Sequence, residues 1–133
     1  MGTNENRAVV QQLYNRFGEG DLEGIVSLLS PSVAWQNHGP QSVPLYTPCQ
    51  GREAVTKWLE FIVREFAISE FVTDTFVAEH DHVVVLGREK GTVRQTGKAY
   101  ATHFAHVFRV SDGQIVSYDG FEDSSAMVAA LGS

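Results

Sequence analysis

Three ionisable residues in the second half of the chain, Glu89, His106 and Asp119, fall at spacings that let adjacent β-strands carry them onto one face of a sheet. A carboxylate beside an imidazole holds one ring tautomer and raises its basicity, which is what a general base or proton shuttle needs. The same grouping has a structural account, because buried ionisable groups are costly unless they pair, and such a pair can fix sheet register. A second cluster, Glu79-His80-Asp81-His82, has ligand chemistry. It straddles an expected hairpin tip, however, and alternating strand positions scatter side chains that a metal site would have to bring together. We expect no metal there and no cofactor elsewhere, since proton transfer in a dry pocket needs none and the chain carries no GxGxxG or Walker sequence.

The strands that must position the trio lie between residues 70 and 122, where turn signals stand at His80-Asp81, Gly97-Lys98 and Asp112-Gly113. Strands over 70–79, 82–95, 99–110 and 114–122 form an antiparallel meander. Counting outward from Asp112-Gly113 sets Phe108 opposite Ser117, His106 opposite Asp119, and Phe104 opposite Phe121. A tight turn at Gly97-Lys98 adds Val83, Val85, Gly87, Glu89 and Val93 to that face, with Glu89 near His106. Arg88, Lys90, Thr92, Arg94, His103 and Arg109 mark the wetter side, with the basic row read as a solvated surface. Phe71, Val77, Val84, Val107, Val116 and Tyr118 are also assigned outward, and that apolar content predicts a homodimer through the sheet.

Helical spacing precedes the sheet. Val9, Val10, Leu13, Tyr14 and Phe17 share one side of a first helix, and Asp21 caps a second that Ser30 and Pro31 end. Val33, Ala34 and Trp35 begin a short strand running into Asn37 and His38. The Pro-containing segment from Gly39 to Gln50, with Leu45 and Tyr46, is placed across a pocket mouth. A third helix follows over about Gly51–Glu65, and the tail Asp123–Leu131 adds a helical turn or two. The result is a single α+β domain over residues 1–133: three N-terminal helices on a curved mixed or antiparallel sheet, a cone enclosing an apolar pocket. Tyr14, Trp35, Asn37, His38, Tyr46, Trp58, Phe104, Phe108 and Phe121 are its candidate ligand contacts, and a small apolar molecule is the expected partner.

Composition narrows the classes. The 133 residues carry 16 acidic against 10 basic side chains, a net charge of −6, which opposes a polyanionic surface such as nucleic acid. No apolar run approaches the ~20 residues of a membrane span, and the polar start lacks an apolar export segment, so a cytoplasmic location is expected. The lone Cys49 can form no internal disulfide.

The order of these elements, with Gly20-Asp21-Leu22-Glu23, Val33-Ala34-Trp35, Gly51-Arg52-Glu53-Ala54-Val55, and Val107-Phe108-Arg109-Val110 before Asp112-Gly113-Gln114-Ile115, resembles the SnoaL-like polyketide cyclases and ketosteroid isomerase-like proteins of the nuclear transport factor 2-like superfamily. Against the isomerase pattern, the general-base aspartate falls at Asn37, the hydrogen-bonding tyrosine at Leu13 beside Tyr14, and the oxyanion-hole acid at His106. The cyclase pattern implies an inward histidine and a late-strand aspartate as acid and base, here His106 and Asp119, with Glu89 tuning them. The resemblance thus implies a cofactor-independent isomerase, cyclase or dehydratase acting on a small apolar carbonyl compound. A non-catalytic ligand-binding or dimeric module remains the alternative, because this scaffold hosts both.

Overall fold

The computed structural model describes residues 2–132. Helix α1 (Thr3–Gly18) buries Val9, Val10 and Leu13, and Gly20, in the left-handed region at φ +72°, turns the chain into the short helix α2 (Leu22–Ser27). The Asp21 side chain caps α2 by accepting the Gly24 N–H at 2.9 Å. Strand β1 (Leu29–Asn37) starts earlier than the sequence indicates. Ser30 and Pro31 lie within it, because Leu29 is fully buried and the Leu28 carbonyl already accepts from Ile115 N–H at 2.9 Å. A 3-10 turn (Pro44–Tyr46) and the two-residue β2 (Cys49–Gln50) lead into α3 (Arg52–Glu65). Its Val55, Leu59 and Ile62 face inward.

Four long strands follow: β3 (Phe66–Glu79), β4 (His82–Val93), β5 (Ala99–Ser111) and β6 (Gln114–Glu122), and then the helix α4 (Ser124–Leu131), capped by Asp123. The sheet order is β2-β1-β6-β5-β4-β3. β3 to β6 are antiparallel neighbours, while β1 runs parallel to β6, so the sheet is mixed. α1 packs against β3 to β6, and α3 against β1, β2 and β3, so both helices cover one face of the sheet.

Register decides what that face carries. At the β4–β5 turn Val93 N–H donates to the Lys98 carbonyl at 2.9 Å, closing a longer loop than a Gly97-Lys98 tight turn. Glu89 therefore opposes Thr102, and Val85 opposes His106. The displacement from the expected pairing is an even number of residues, so Val83, Val85, Phe104, His106 and Phe108 keep the inward face.

At the β5–β6 turn the first pairs are as counted, Ser111 with Gln114 and Val110 with Ile115, but the next is Arg109 with Ser117. Val116 is an extra residue, a β-bulge on β6. From there every pairing moves by one: Val107 opposes Asp119, His106 opposes Gly120, and Phe104 opposes Glu122. The expected His106–Asp119 neighbourhood is corrected accordingly. Tyr118 and Glu122 face the helices, whereas Asp119 and Phe121 face outward, Phe121 with 47% of its surface exposed. The cause is the core itself, since Ile115 and Tyr118 are both buried, at 0% and 4% exposure, yet stand an odd number of residues apart. Only an inserted residue lets one strand point both inward.

Strand β3 carries two further irregularities, between Ile68 and Glu70 and between Thr73 and Thr75. The second turns Phe71, expected outside, to the inner side opposite Glu89.

Candidate functional site

The helices and the sheet enclose a cavity of about 80 Å³. Leu13, Tyr14, Phe17, Trp35, Trp58, Phe66, Phe71 and Phe108 form most of its apolar wall, and Asn37, Glu89, His106, Tyr118 and Glu122 supply its polar atoms. Each arrives by a definite route. Tyr14 lies one position along α1 from the buried Leu13, Trp35 and Asn37 alternate inward along β1, and His106 and Phe108 do the same on β5. The β6 bulge delivers Tyr118 and Glu122, and α4 brings Met127 to the wall.

Two hydrogen-bonded groups stand out. In the first, the Tyr14 hydroxyl lies 2.6 Å from His106 Nδ1. Burial pushes the His106 imidazole down to about 3, so the ring is neutral, and burial also holds the Tyr14 phenol well above its ordinary range. Tyr14 then donates to Nδ1, as its hydroxyl has no other acceptor among the described residues. The Nε2 atom of His106 consequently carries the proton. No protein group among the described residues accepts it, on a ring that lines the cavity. Phe104 stacks on that ring at 4.0 Å between centroids and fixes its plane. Phe104 itself is buried behind the ring rather than part of the cavity wall.

The second group centres on Glu122. Tyr46 donates to Oε2 at 3.0 Å and Asn37 Nδ2 to Oε1 at 3.3 Å, while Tyr118 donates to Asn37 Oδ1 at 2.6 Å. Burial, outweighing the Tyr46 hydrogen bond, with the nearby Glu89 charge adding to it, pushes the Glu122 carboxyl up to about 7. Glu89 is also raised by burial, and Tyr100 donates to its Oε2 at 2.5 Å. Gly120 makes this floor possible, because a Cβ there would collide with Asn37 Oδ1 and the Tyr118 hydroxyl.

Of the expected contacts, Tyr14, Trp35, Asn37, Trp58, Phe108, His106 and Glu89 line the cavity. Tyr46 does not, being fully buried behind Glu122, and with Leu45 it makes the segment after β1 a packed wall: Trp58 Nε1 donates to the Leu45 carbonyl at 3.0 Å. His38, Asp119 and Phe121 form a separate set on the other face of the sheet. His38 Nε2 lies 2.8 Å from Asp119 Oδ1, and the His38 ring stacks on Phe121 at 4.8 Å. Asn37 points inward, so its neighbour His38 points outward by strand alternation. Sequence counting missed Glu122, Tyr118 and Tyr100. The odd spacing of Ile115 and Tyr118 was the available signal for the first two, and the parity of Tyr100 with Phe104 and Phe108 for the third.

The Glu79–His82 cluster stays at the exposed hairpin tip, where His82 pairs with Asp81 at 3.0 Å and Asp81 with Arg109 at 2.9 Å. Among the described residues no three His, Cys, Asp or Glu side chains converge as metal ligands, and no helix is long and apolar enough to cross a membrane.

A wider groove of about 420 Å³ lies outside the cavity, between the end of α1, the end of α3 and β3. It shares Tyr14, Phe17, Ile62, Phe66, Ile68 and Phe71 with the inner wall and adds Asn15, Val63, Thr73 and Arg94.

The family model of the SnoaL-like domain matches residues 10–118. No curated protein sequence matches. Among solved structures, a nuclear transport factor 2-like protein from Burkholderia xenovorans superposes with a TM-score of 0.91 at 24% identity, covering 99% of each chain. One of unknown function from Burkholderia pseudomallei gives 0.87 at 25% identity over 100% of both chains. A putative isomerase from Bacillus subtilis gives 0.85 at 20% identity, covering 99% of this chain and 96% of that one. These likenesses show a shared fold along the whole chain, and with the family match over residues 10–118 the chain belongs to the SnoaL-like family, within the nuclear transport factor 2-like superfamily.

Proposed function

We propose that this chain is a cofactor-independent acid–base enzyme of the isomerase, cyclase or dehydratase type, acting on a small apolar carbonyl compound held in the cavity. One observation carries the reading: Glu122, a carboxyl pushed to about 7, sits in an apolar enclosure that also holds a neutral His106 with an unpartnered Nε2–H. A base with a pKa near the working pH is half ionised there and still basic enough to take a proton. Ionised Glu122 removes a proton alpha to the carbonyl, and His106 Nε2–H donates a hydrogen bond to the oxygen as negative charge develops on it. Tyr14 orients His106, and Tyr46 and Asn37 hold the carboxylate. Glu89 raises the basicity of Glu122 through its own charge. Asp119 has no part in this, as it lies across the sheet. The likeness to a putative isomerase agrees with this class of reaction.

The test is α-proton exchange into D2O, followed by ¹H NMR over a panel of cyclic enones and 1,3-diketones. Glu122→Gln is expected to lower the exchange rate by about 10² to 10⁴, whereas Asp119→Asn leaves it within about twofold. Exchange surviving Glu122→Gln would remove the proposed base.

The outward face of the sheet supports a second element of this reading, a homodimer. Val77, Leu86 and Phe121 expose 51%, 43% and 47% of their surface on that face, an apolar patch that a second copy would cover. Light scattering at micromolar concentration is expected to give twice the chain mass, and a monomer there rules the dimer out.

A further inference from the structure

The inner cavity and the outer groove differ in charge. Among the residues lining the inner cavity the ionisable ones other than tyrosine are Glu89, Glu122 and the neutral His106, and no Lys or Arg is present. A ligand's anionic end would meet two acids there. The outer groove has one charged lining residue, Arg94.

Arg94 and Arg88 are both exposed, as expected of a solvated basic row, but they differ in their partners. Arg88 is committed on the open side of the sheet to Glu70 at 3.3 Å and Asp74 at 3.0 Å. Arg94 lies just past the end of β4, held by its own N–H to the Glu65 carbonyl at 2.9 Å, where the chain passes the junction of α3 and β3. Among the described residues its guanidinium makes neither a hydrogen bond nor an ion pair, although the chain has 16 acidic side chains and only 10 basic ones. Val63, which lines the same groove, leaves 50% of its surface exposed. The residues common to groove and cavity, Phe17, Ile62, Phe66, Ile68 and Phe71 with the Tyr14 ring, are apolar, with a free cation on the groove side of them and acids on the cavity side.

We propose that the cavity takes an amphipathic anion, an apolar monocarboxylic acid that enters by its neutral end and leaves its carboxylate at the groove mouth beside Arg94. The inference rests on the cavity being a ligand site, as in the preceding reading, and adds to it the polarity and orientation of the ligand. A guanidinium recognises a carboxylate through paired N–H donors, and in this exposed position the pair is worth only a small factor in affinity. The net charge of −6 works against anion binding everywhere else on the molecule, so a preference for the anion must be local.

Octanoate and octan-1-ol share an alkyl chain and differ in the charged end. The only two tryptophans of the chain, Trp35 and Trp58, both line the cavity, so intrinsic fluorescence reports occupancy directly. Wild-type protein at low salt is expected to bind octanoate about two- to fivefold more tightly than octan-1-ol, the factor an exposed ion pair supplies. The preference should fade in ~1 M salt. Arg94→Gln should abolish it and Arg94→Glu reverse it, with octan-1-ol affinity unchanged in both variants, which also serves as the check on folding. An octanoate preference that survives Arg94→Glu, or its absence in the wild type while octan-1-ol binds, overturns the assignment and leaves the cavity reading standing. If neither compound binds, the cavity reading falls and this one with it.

Discussion

The two hairpins that share β5 each carry a turn dipeptide, and they depart from the pairing it implies in different ways. In β4–β5 the turn is longer than its Gly97-Lys98 signal suggests, and the cross-strand partner of Glu89 moved from His106 to Thr102. Faces were untouched, because the displacement was even. In β5–β6 the Asp112-Gly113 turn formed as its dipeptide indicates, both residues at positive φ of 51° and 77°, yet one bulged residue beyond it exchanged the two faces of the remaining strand. A correct turn is thus no guarantee of a correct face. What matters is the parity of any residue added between the turn and the site.

Deleting Val116 is the most severe way to break that comparison. Without the bulge, β6 must turn either Ile115 or the Tyr118–Glu122 segment away from the core, and forcing Asp119 and Phe121 inward buries an unpaired carboxylate. A loss of at least about 4 kcal/mol is expected in urea melts, a large part of a small domain's stability. Wild-type stability in the deletion variant would show that the bulge is not imposed by the core.

Glu122→Gln against Asp119→Asn sharpens the same contrast in activity, with the large kinetic loss assigned to the residue the bulge turned inward. In stability the outward pair matters little. The His38–Asp119 contact has side chains 38% and 45% exposed, so Asp119→Asn should cost no more than about 1 kcal/mol.

The inward groups also give the fold opposing pH responses. Glu122 ionises more readily unfolded, near 4.5, than folded, near 7, so its protonated form favours the folded state and its contribution is lost as pH rises from about 4.5 to 7. His106 binds its proton near 6.5 unfolded and near 3 folded, so stability is lost as pH falls from about 6.5 to 3. Between about 4.5 and 6.5 the two slopes oppose, and a broad maximum is expected there. In Glu122→Gln the decline on the neutral side should shrink, by an amount on the order of 1 kcal/mol. A profile unchanged by Glu122→Gln would show that this carboxyl is not raised in the fold.

Much of the site was legible along the chain. Helical spacing brought Tyr14 to the core side of α1, strand alternation brought His106, Phe104 and Phe108 inward on β5, and Glu89 kept its face through an even displacement. Glu122 was not legible by counting, and neither was Phe71, since each stands beyond a bulge. Glu79 to His82 had the composition of a site and became an exposed turn with local ion pairs.

By itself the sequence determined the order of the main elements, the α+β class and the inward histidine, because these follow from local periodicity and from turn residues within a few positions of one another, while its short motifs carried the resemblance to the family. The tertiary structure alone decided which carboxylate of β6 joins Glu89 in that histidine's cavity, Glu122 rather than Asp119. That choice depends on whether Ile115 and Tyr118, an odd number of residues apart, are both buried, and burial is settled by the helices packed against the sheet rather than by the strand that carries them.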